Sequence, residues 1–301
     1  MVGSARKYEV KSPPMADAVG EFIGFLTARG ASTNTIAAYR RDLDQLTRSI
    51  EGGRAAGGDA QLGRAIIEEF VVNLQGQGYR EASIARKLAA ARSFFVFLTA
   101  EGSLSANPTE GFALPKVKRP LPRLVTTEEV ERLLRQPSGS SREAKRDRAM
   151  LELLNATGMR VSELVSLDLD DIKLDEENPF VICRGRRGEE RAMFIPPRAR
   201  EALVEYLESA RPLLVRDGDQ QAVFLNRRGG RLTRQGLWLI LKDYAKDADL
   251  SADITPHTLR HSFAAQMLES GMPLSNVQQL LGHSALSSTR IYSAFTNNPG
   301  G

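Results

Sequence analysis

The sequence predicts a mainly α protein in two domains, with one small β-hairpin in the second. Three observations carry this reading. Apolar residues recur at helical spacing in most segments. Strand-type patterning is confined to "FVICRG" and "ERAMFIP", which a short turn at Arg187 and Gly188 would join. Four of the fourteen prolines fall in "NPTEGFALPKVKRPLPRLV", residues 107–125, a stiffened stretch that reads as an interdomain linker.

Residues 1–14 read as an N-terminal arm, and residues 15–106 as a helical domain. Its first helix, "ADAVGEFIGFLTARG", carries Val19, Phe22, Ile23 and Leu26 on one face and stops at Gly30. A second, "STNTIAAYRRDLDQLTRSI", is capped near Ser32 or Thr33. The Gly-rich "EGGRAAGGDAQ" predicts a loop. "LGRAIIEEFVVNLQGQG" and "REASIARKLAAARSFFVFLTAEG" complete a four-helix bundle.

The second domain, 126–301, opens with helices at "TTEEVERLLRQ" and "SREAKRDRAMLELLNATG". The hairpin follows, then helices at "RAREALVEYLESARPLL", "RQGLWLILKDYAKDA", "TPHTLRHSFAAQMLESG" and "PLSNVQQLLGH". In the third of these, Thr255 caps, Pro256 suits the first turn and Gly271 ends the helix. Leu259, Phe263 and Met267 form its core stripe. His257 and Arg260 lie one turn apart, off that stripe.

Composition narrows the class. Hydrophobic residues make up 42% and charged residues 26%, ordinary for a soluble globular chain. No apolar run approaches the ~20 residues of a membrane span, and "MVGSARKYEV" lacks a signal-peptide core. A single cysteine, Cys183, excludes an internal disulfide and has no metal-ligand pattern around it; a reducing, cytoplasmic setting is expected. The net charge of +4 is modest, but its placement is informative. Arg86, Lys87 and Arg92 share one helix. Lys116, Lys118, Arg119 and Arg123 line the linker, and "CRGRRGEER" holds four arginines in eight residues. Each alone is explained by a solvated face; three such segments in one chain favour a polyanion partner.

Two further segments bring chemistry. In "NATGMRVSELVSLDLDDI" a helix ends at Thr157-Gly158, Arg160 follows the turn, and a new helix starts near Val161. In "LLGHSALSSTRIYSAF", His283 follows Gly282 and Tyr292 lies nine residues on. Plainer alternatives exist for each residue: Arg160 paired with Glu163, and Tyr292 at the edge of the core. Taken together, Arg160, Arg260, His257, His283 and Tyr292 form a complete set for phosphoryl transfer. Two guanidinium groups can clamp the non-bridging oxygens of a phosphodiester. A histidine can relay a proton, and a tyrosine hydroxyl can attack. No carboxylate cluster suited to magnesium is evident, and a His257–His261 metal pair lacks a third ligand.

These segments resemble a known family. "TGMRVSEL", "PHTLRHSFA", "LLGHSALSST" and "IY" are similar to the catalytic boxes of the tyrosine recombinases (the phage integrase family), most closely its Xer type. "STNTIAAYRRDL" and "SIARKLAAARSFFVFL" are similar to boxes of that family's N-terminal DNA-clamping domain. The resemblance implies a SAM-like four-helix domain and a catalytic domain that together form a C-shaped clamp around DNA. It implies that Arg160 and Arg260 bind the scissile phosphate, His257 acts as acid-base, His283 hydrogen-bonds the phosphate, and Tyr292 becomes joined to the DNA 3′ phosphate. Arg40, Ser83, Arg86, Lys87, Arg92 and Lys118 are the expected DNA contacts. The implied partners are double-stranded DNA with a paired inverted-repeat site, a homo- or hetero-tetramer of recombinases on two such sites, and a DNA translocase as regulator. No cofactor and no metal are implied. The implied setting is chromosome-dimer resolution, with its links to chromosome partition and cell division, or integration.

Two departures stand out. The family carries a lysine in the hairpin as general acid for the departing 5′ oxygen. Here the hairpin has none; Arg186 fits the slot best and Arg184 is the other candidate. Arginine keeps the charge but does not release a proton near neutrality, so reduced activity is expected. Second, "SAFTNNPGG" after Tyr292 is too short and polar for the helix by which family members dock into a neighbouring protomer, which argues against cyclic assembly through the C-terminus. Two alternatives to a recombinase fit the same residues. One is a type IB topoisomerase-like nicking-closing enzyme; the other is a recombinase-fold DNA-binding protein impaired in cleavage.

Overall fold

The computed structural model describes residues 15–55, 64–112, 123–185, 189–216, 220–251 and 253–282. The chain divides into two compact units, Met1–Arg119 and Pro120–Gly301.

The described part of the first unit is a helical bundle of α1 (Met15–Ala28), α2 (Thr33–Ala55), α3 (Arg64–Gly76) and α4 (Glu81–Ala100). Helix α1 buries Val19, Phe22 and Ile23 of the stripe its spacing predicts, together with Met15 and Ala18, while Leu26 is half-buried. Ala90 and Ala91 of α4 are fully buried; their small side chains let neighbouring helices approach. Phe22 sits against Phe94 and Phe97, with ring centroids 5.6 and 5.4 Å apart, distances at which tilted aromatic pairs attract. One boundary differs from the sequence reading. The break expected at Glu51 comes later, because α2 continues past Gly52 to Ala55. Ile50 is buried and fixes the preceding turn. A glycine costs a helix only about 1 kcal/mol, too little to stop an anchored one.

The second unit starts with α5 (Thr127–Leu134) and α6 (Arg142–Thr157). A reciprocal capping box between Thr126 and Glu129 begins α5. After α6 come the short α7 (Val161–Ser166) and a three-stranded antiparallel sheet in the order β1 (Ile172–Lys173), β2 (Phe180–Arg184), β3 (Glu190–Phe194). The sequence reading expected only the β2–β3 pair; β1 adds a two-residue edge against Phe180 and Val181. In the hairpin register Ile182 faces Ala192 and Cys183 faces Arg191.

Helix α8 (Pro197–Glu205) was expected to run on without interruption, but residues Tyr206–Ala210 form a wider π turn. Tyr206 explains it. Its ring is buried and stacked on Phe224, and its hydroxyl donates to the Val223 carbonyl at 3.0 Å. Burial pushes this phenol up to about 12, so it stays a donor. Helices α9 (Arg234–Asp247), α10 (Pro256–Glu269) and α11 (Leu274–Leu281) close the unit. Its core joins Leu153, Leu154, Met159 and Leu164 to Leu259, Phe263, Val277 and Leu281. Helix α10 therefore lies against α6, and α11 beside α10. Among the described residues no helix is long and apolar enough to cross a membrane.

Candidate active site

The site grows from the end of α6. Gly158 terminates that helix at φ 56°, in the left-handed region that glycine adopts without a Cβ penalty. The chain turns there and sets Arg160 at the start of α7. The Arg160 backbone N–H donates to Glu163 Oε2 at 2.7 Å, and its Nη1 donates to Oε1 at 2.8 Å. The plain pairing with Glu163 is thus present. It is not the whole account, because Arg160 Nη2 also donates to the Gly282 carbonyl at 2.6 Å. The side chain keeps 32% of its surface exposed, so a ligand can still reach it.

Arg260 comes to the same place from α10. Thr255 caps this helix by accepting from the Thr258 N–H at 3.2 Å, and Pro256 occupies its first turn. Arg260 is buried; its Nη1 donates to the Gly158 carbonyl at 2.7 Å and its Nη2 to the Leu281 carbonyl. His257, one turn earlier, is exposed. His261 is half-buried, and burial together with the charges of His257 and Arg260 holds its imidazole below the usual range. Burial thus favours the neutral form of the His261 imidazole.

A third arginine completes the arrangement. Arg191, the second residue of β3, donates through Nη1 and Nη2 to both oxygens of Glu163, at 3.0 and 2.8 Å. Its Nε donates to the Leu280 carbonyl at 2.6 Å. Three successive carbonyls at the C-terminal end of α11, those of Leu280, Leu281 and Gly282, thus each accept from a different arginine. Helix C-termini leave such carbonyls without intrahelical partners and favour nearby cations. Glu163 is buried beneath this group. Burial alone would raise its pKa; hydrogen bonds from Arg191 and from the Arg160 backbone, with the charge of both arginines, overrule that and hold the carboxyl below its ordinary value.

Sequence reasoning placed Arg191 only within a basic run. The signal that distinguishes it is strand alternation. Arg191 shares a face with buried Met193, so an arginine on the inward side of β3 requires a carboxylate.

Arg184 ends β2 and lies half-exposed, paired with Asp171 and, at 3.0 Å, with Glu190. Hydrogen bonding to Glu190 and the nearby Asp171 charge raise its pKa further. An arginine held by two carboxylates is a poor proton donor. Arg186, His283, Tyr292 and Lys118 lie outside the described residues. Among the described residues no group of three or more His, Cys, Asp or Glu is placed to hold a metal.

The basic residues of the first unit divide into two kinds. Arg40 and Arg92 are exposed, and Ser83 is half-buried near the start of α4. Arg86 is paired with Asp42. Lys87, expected among the DNA contacts, is placed differently from its neighbours. Its side chain is buried, donates to Asp42 at 3.0 Å and to Gln45 at 2.7 Å, and lies over the Tyr79 ring. A cation committed to a buried carboxylate contributes to the packing of α2 on α4, because breaking that pair leaves an uncompensated charge.

Comparison with known proteins agrees with the geometry. The phage integrase family matches residues 123–298, and the phage integrase N-terminal SAM-like domain matches residues 19–102. The tyrosine recombinase XerC of Herpetosiphon aurantiacus is 47% identical, over 94% of this chain and 92% of its own length. The tyrosine recombinase XerD of Halalkalibacterium halodurans is 44% identical, over 89% of each chain. In fold, the chain is similar to the XerH site-specific recombinase in a post-cleavage complex with a palindromic difH substrate, with a TM-score of 0.75 and 23% identity over 94% of this chain and 82% of that one. Two relatives matched along most of their length, family profiles over both units, and three arginines gathered at one helix end lead to one conclusion: the chain belongs to the phage integrase family, as a tyrosine recombinase of the Xer type.

Proposed function

We propose that this site-specific recombinase cuts and rejoins duplex DNA through Tyr292, with Arg160 and Arg260 as the phosphate clamp. The observation that carries the proposal is their convergence: the two guanidinium groups reach successive carbonyls, Gly282 and Leu281, from separate helices. The Tyr292 oxygen attacks the scissile phosphorus, and the bond to the 5′ oxygen breaks. The clamp neutralises the charge that builds on the non-bridging oxygens. The 5′ oxygen leaves as a hydroxyl, taking one proton, and the 3′ phosphate stays on the tyrosine. His257, exposed on the same turn as Arg260, takes the tyrosine proton as acid-base. His283, next to Gly282 in the sequence, hydrogen-bonds the phosphate. A 5′ hydroxyl from a partner strand then displaces the tyrosine. Bond energy is kept in the phosphotyrosine, so the cycle consumes no nucleotide.

Exchange between two duplexes breaks four strands. With one tyrosine per strand, the working unit is four protomers on two paired inverted-repeat sites, acting at a dimer-resolution or integration-type site. Both units bind the duplex, with Arg40, Ser83, Arg86, Arg92 and Lys118 as the expected contacts. A DNA translocase as regulator and a cytoplasmic setting belong to the same reading.

A nicked suicide substrate tests the proposal. A denaturation-resistant protein–DNA adduct should form with the parent and vanish in Tyr292→Phe. An adduct that persists in Tyr292→Phe overturns the nucleophile assignment. Sequence-specific binding with no adduct from the parent identifies a clamp that no longer cuts. Resealing of nicks without exchange between two duplexes identifies a nicking-closing enzyme.

A further inference from the structure

We propose that Arg191 is a positioning residue for strand cleavage: by gripping Glu163 in a two-pronged hold it fixes the guanidinium of Arg160 against the phosphate. The inference rests on the reading that Arg160 clamps the scissile phosphate.

The case begins with where the residue sits. Arg191 lies opposite Cys183 in the hairpin register, and Cys183 is fully buried. Burial pushes that thiol up to about 11, so it carries no negative charge to balance the arginine. The balancing charge is Glu163, met by Nη1 and Nη2 at 3.0 and 2.8 Å. A fork of this kind fixes the plane of a carboxylate as well as its distance. Nε is committed elsewhere, to the Leu280 carbonyl at 2.6 Å. Arg191 therefore joins β3 to α7 and to the end of α11, and its donors are turned toward protein groups.

The four bonds on Glu163 show how this hold reaches Arg160. Oε1 accepts from Arg160 Nη1 and Arg191 Nη1, while Oε2 accepts from the Arg160 backbone and Arg191 Nη2. Each carboxylate oxygen is shared between the two arginines. Without the fork, Glu163 keeps only its two bonds to Arg160, from the backbone N–H and from Nη1, and loses the hold on its plane that comes from outside that segment. Arg160 would then keep its charge but lose its angle. Lysine cannot replace the fork, because an ammonium is a point charge with no planar pair of donors. Arg191 also lies only five residues beyond Arg186 in the sequence. The same residue thus ties the hairpin to the Arg160 segment.

Single-turnover adduct formation on a nicked substrate tests this in the full chain, with Arg191→Lys, Arg160→Lys and the double variant. Arg191→Lys should slow adduct formation by about tenfold or more, the scale expected when a catalytic group shifts by a fraction of an ångström. Its DNA affinity and unfolding temperature should stay close to the parent's. In the Arg160→Lys background the same change should have no further effect, since residues that act as a unit are not additive. A substrate with a bridging 5′ sulfur removes the need to protonate the leaving group. The deficit should persist on it, because the phosphate clamp works with either leaving atom.

Parental rates from Arg191→Lys overturn the proposal. So does an equal slowing in both backgrounds, or a loss that tracks a lowered unfolding temperature, either of which marks a purely structural arginine. Rescue by the sulfur substrate would move its action to the leaving group and overturns it as well. Full activity of Arg160→Lys defeats the underlying phosphate-clamp reading, an outcome separate from any result at Arg191.

Discussion

A Cβ added at Gly158 would lie 2.7 Å from Cγ of Phe263, so α6 can end at this point only if residue 158 has no side chain. The same residue sits at φ 56° and presents its carbonyl to Arg260 Nη1 at 2.7 Å. Helix termination, core packing and placement of one arginine thus meet in one glycine.

Gly158→Ala should therefore harm stability and chemistry together. The left-handed backbone costs an alanine about 1–2 kcal/mol, and overpacking against the Phe263 ring adds about 1–3 kcal/mol. Denaturant unfolding should show a loss of about 2–5 kcal/mol in the second unit. Adduct formation should fall as the carbonyl under Arg260 moves. Pairing the change with Phe263→Leu should recover part of the stability; no recovery would mean that backbone strain alone is responsible.

Acid sensitivity should trace to Glu163. Its folded-state pKa lies below the ordinary value, chiefly because arginine hydrogen bonds and charges outweigh burial. A depressed carboxylate contributes stability above its unfolded pKa, about 4.3, and loses it as pH falls through the lower folded value. Asp147 and Glu152 act in the opposite direction: burial raises both, so their contribution is fullest below their unfolded values and is lost as pH rises through the folded ones. Glu163→Gln should cost about 3 kcal/mol at pH 7. Unfolding curves collected from pH 7 down to about pH 3 should show the gap to the parent narrowing only below about 4.3. A gap independent of pH would show that the carboxylate charge is not what matters.

Asp42 should prove structural in the first unit. It is buried and accepts from both Arg86 and Lys87. Asp42→Ala leaves the Lys87 ammonium buried without its carboxylate, at a cost of about 3 kcal/mol. Adding Lys87→Met, which keeps volume and removes the charge, should return much of that loss. Thermal unfolding of the full chain measures both; a double variant no better than Asp42→Ala would refute the role of Lys87 as a buried partner.

The hairpin should limit the chemical step through Arg186. Arginine is a weak proton donor, and general acid catalysis is worth about 10²–10⁴-fold. Arg186→Lys should speed cleavage of ordinary DNA with little change in affinity, and should match the parent on a bridging 5′-sulfur substrate. No gain on ordinary DNA would mean that another group supplies the proton. Arg184 is a poor alternative, being held by Asp171 and Glu190.

Binding itself should be dominated by phosphate contacts from both units. Log K against log salt should fall with a slope of order −0.9 for each phosphate neutralised. Affinity unchanged between low and physiological salt would count against the clamp.

What short-range physics controls was legible in the residues alone. Helical spacing placed the apolar faces of α1 and α10, and Thr255, Pro256 and Gly158 marked helix ends, because caps and glycine conformations act within a few residues. The residue types at Arg160, His257 and Arg260 pointed to phosphate chemistry for the same reason: donor geometry belongs to the side chain itself. Only the tertiary structure decided which charges are free and which are spent. Lys87 and Arg92 look alike in "ARKLAAAR", yet one is buried on Asp42 from α2 and the other faces solvent. The widening of α8 at Tyr206 was likewise set by Phe224 and the Val223 carbonyl, more than a dozen residues away. Arg191 belonged to a basic run until the fold brought Glu163 and Leu280 to it, across 28 and 89 residues. Charge pairing acts through space and depends on burial, and neither distance across the fold nor burial is written in neighbouring residues.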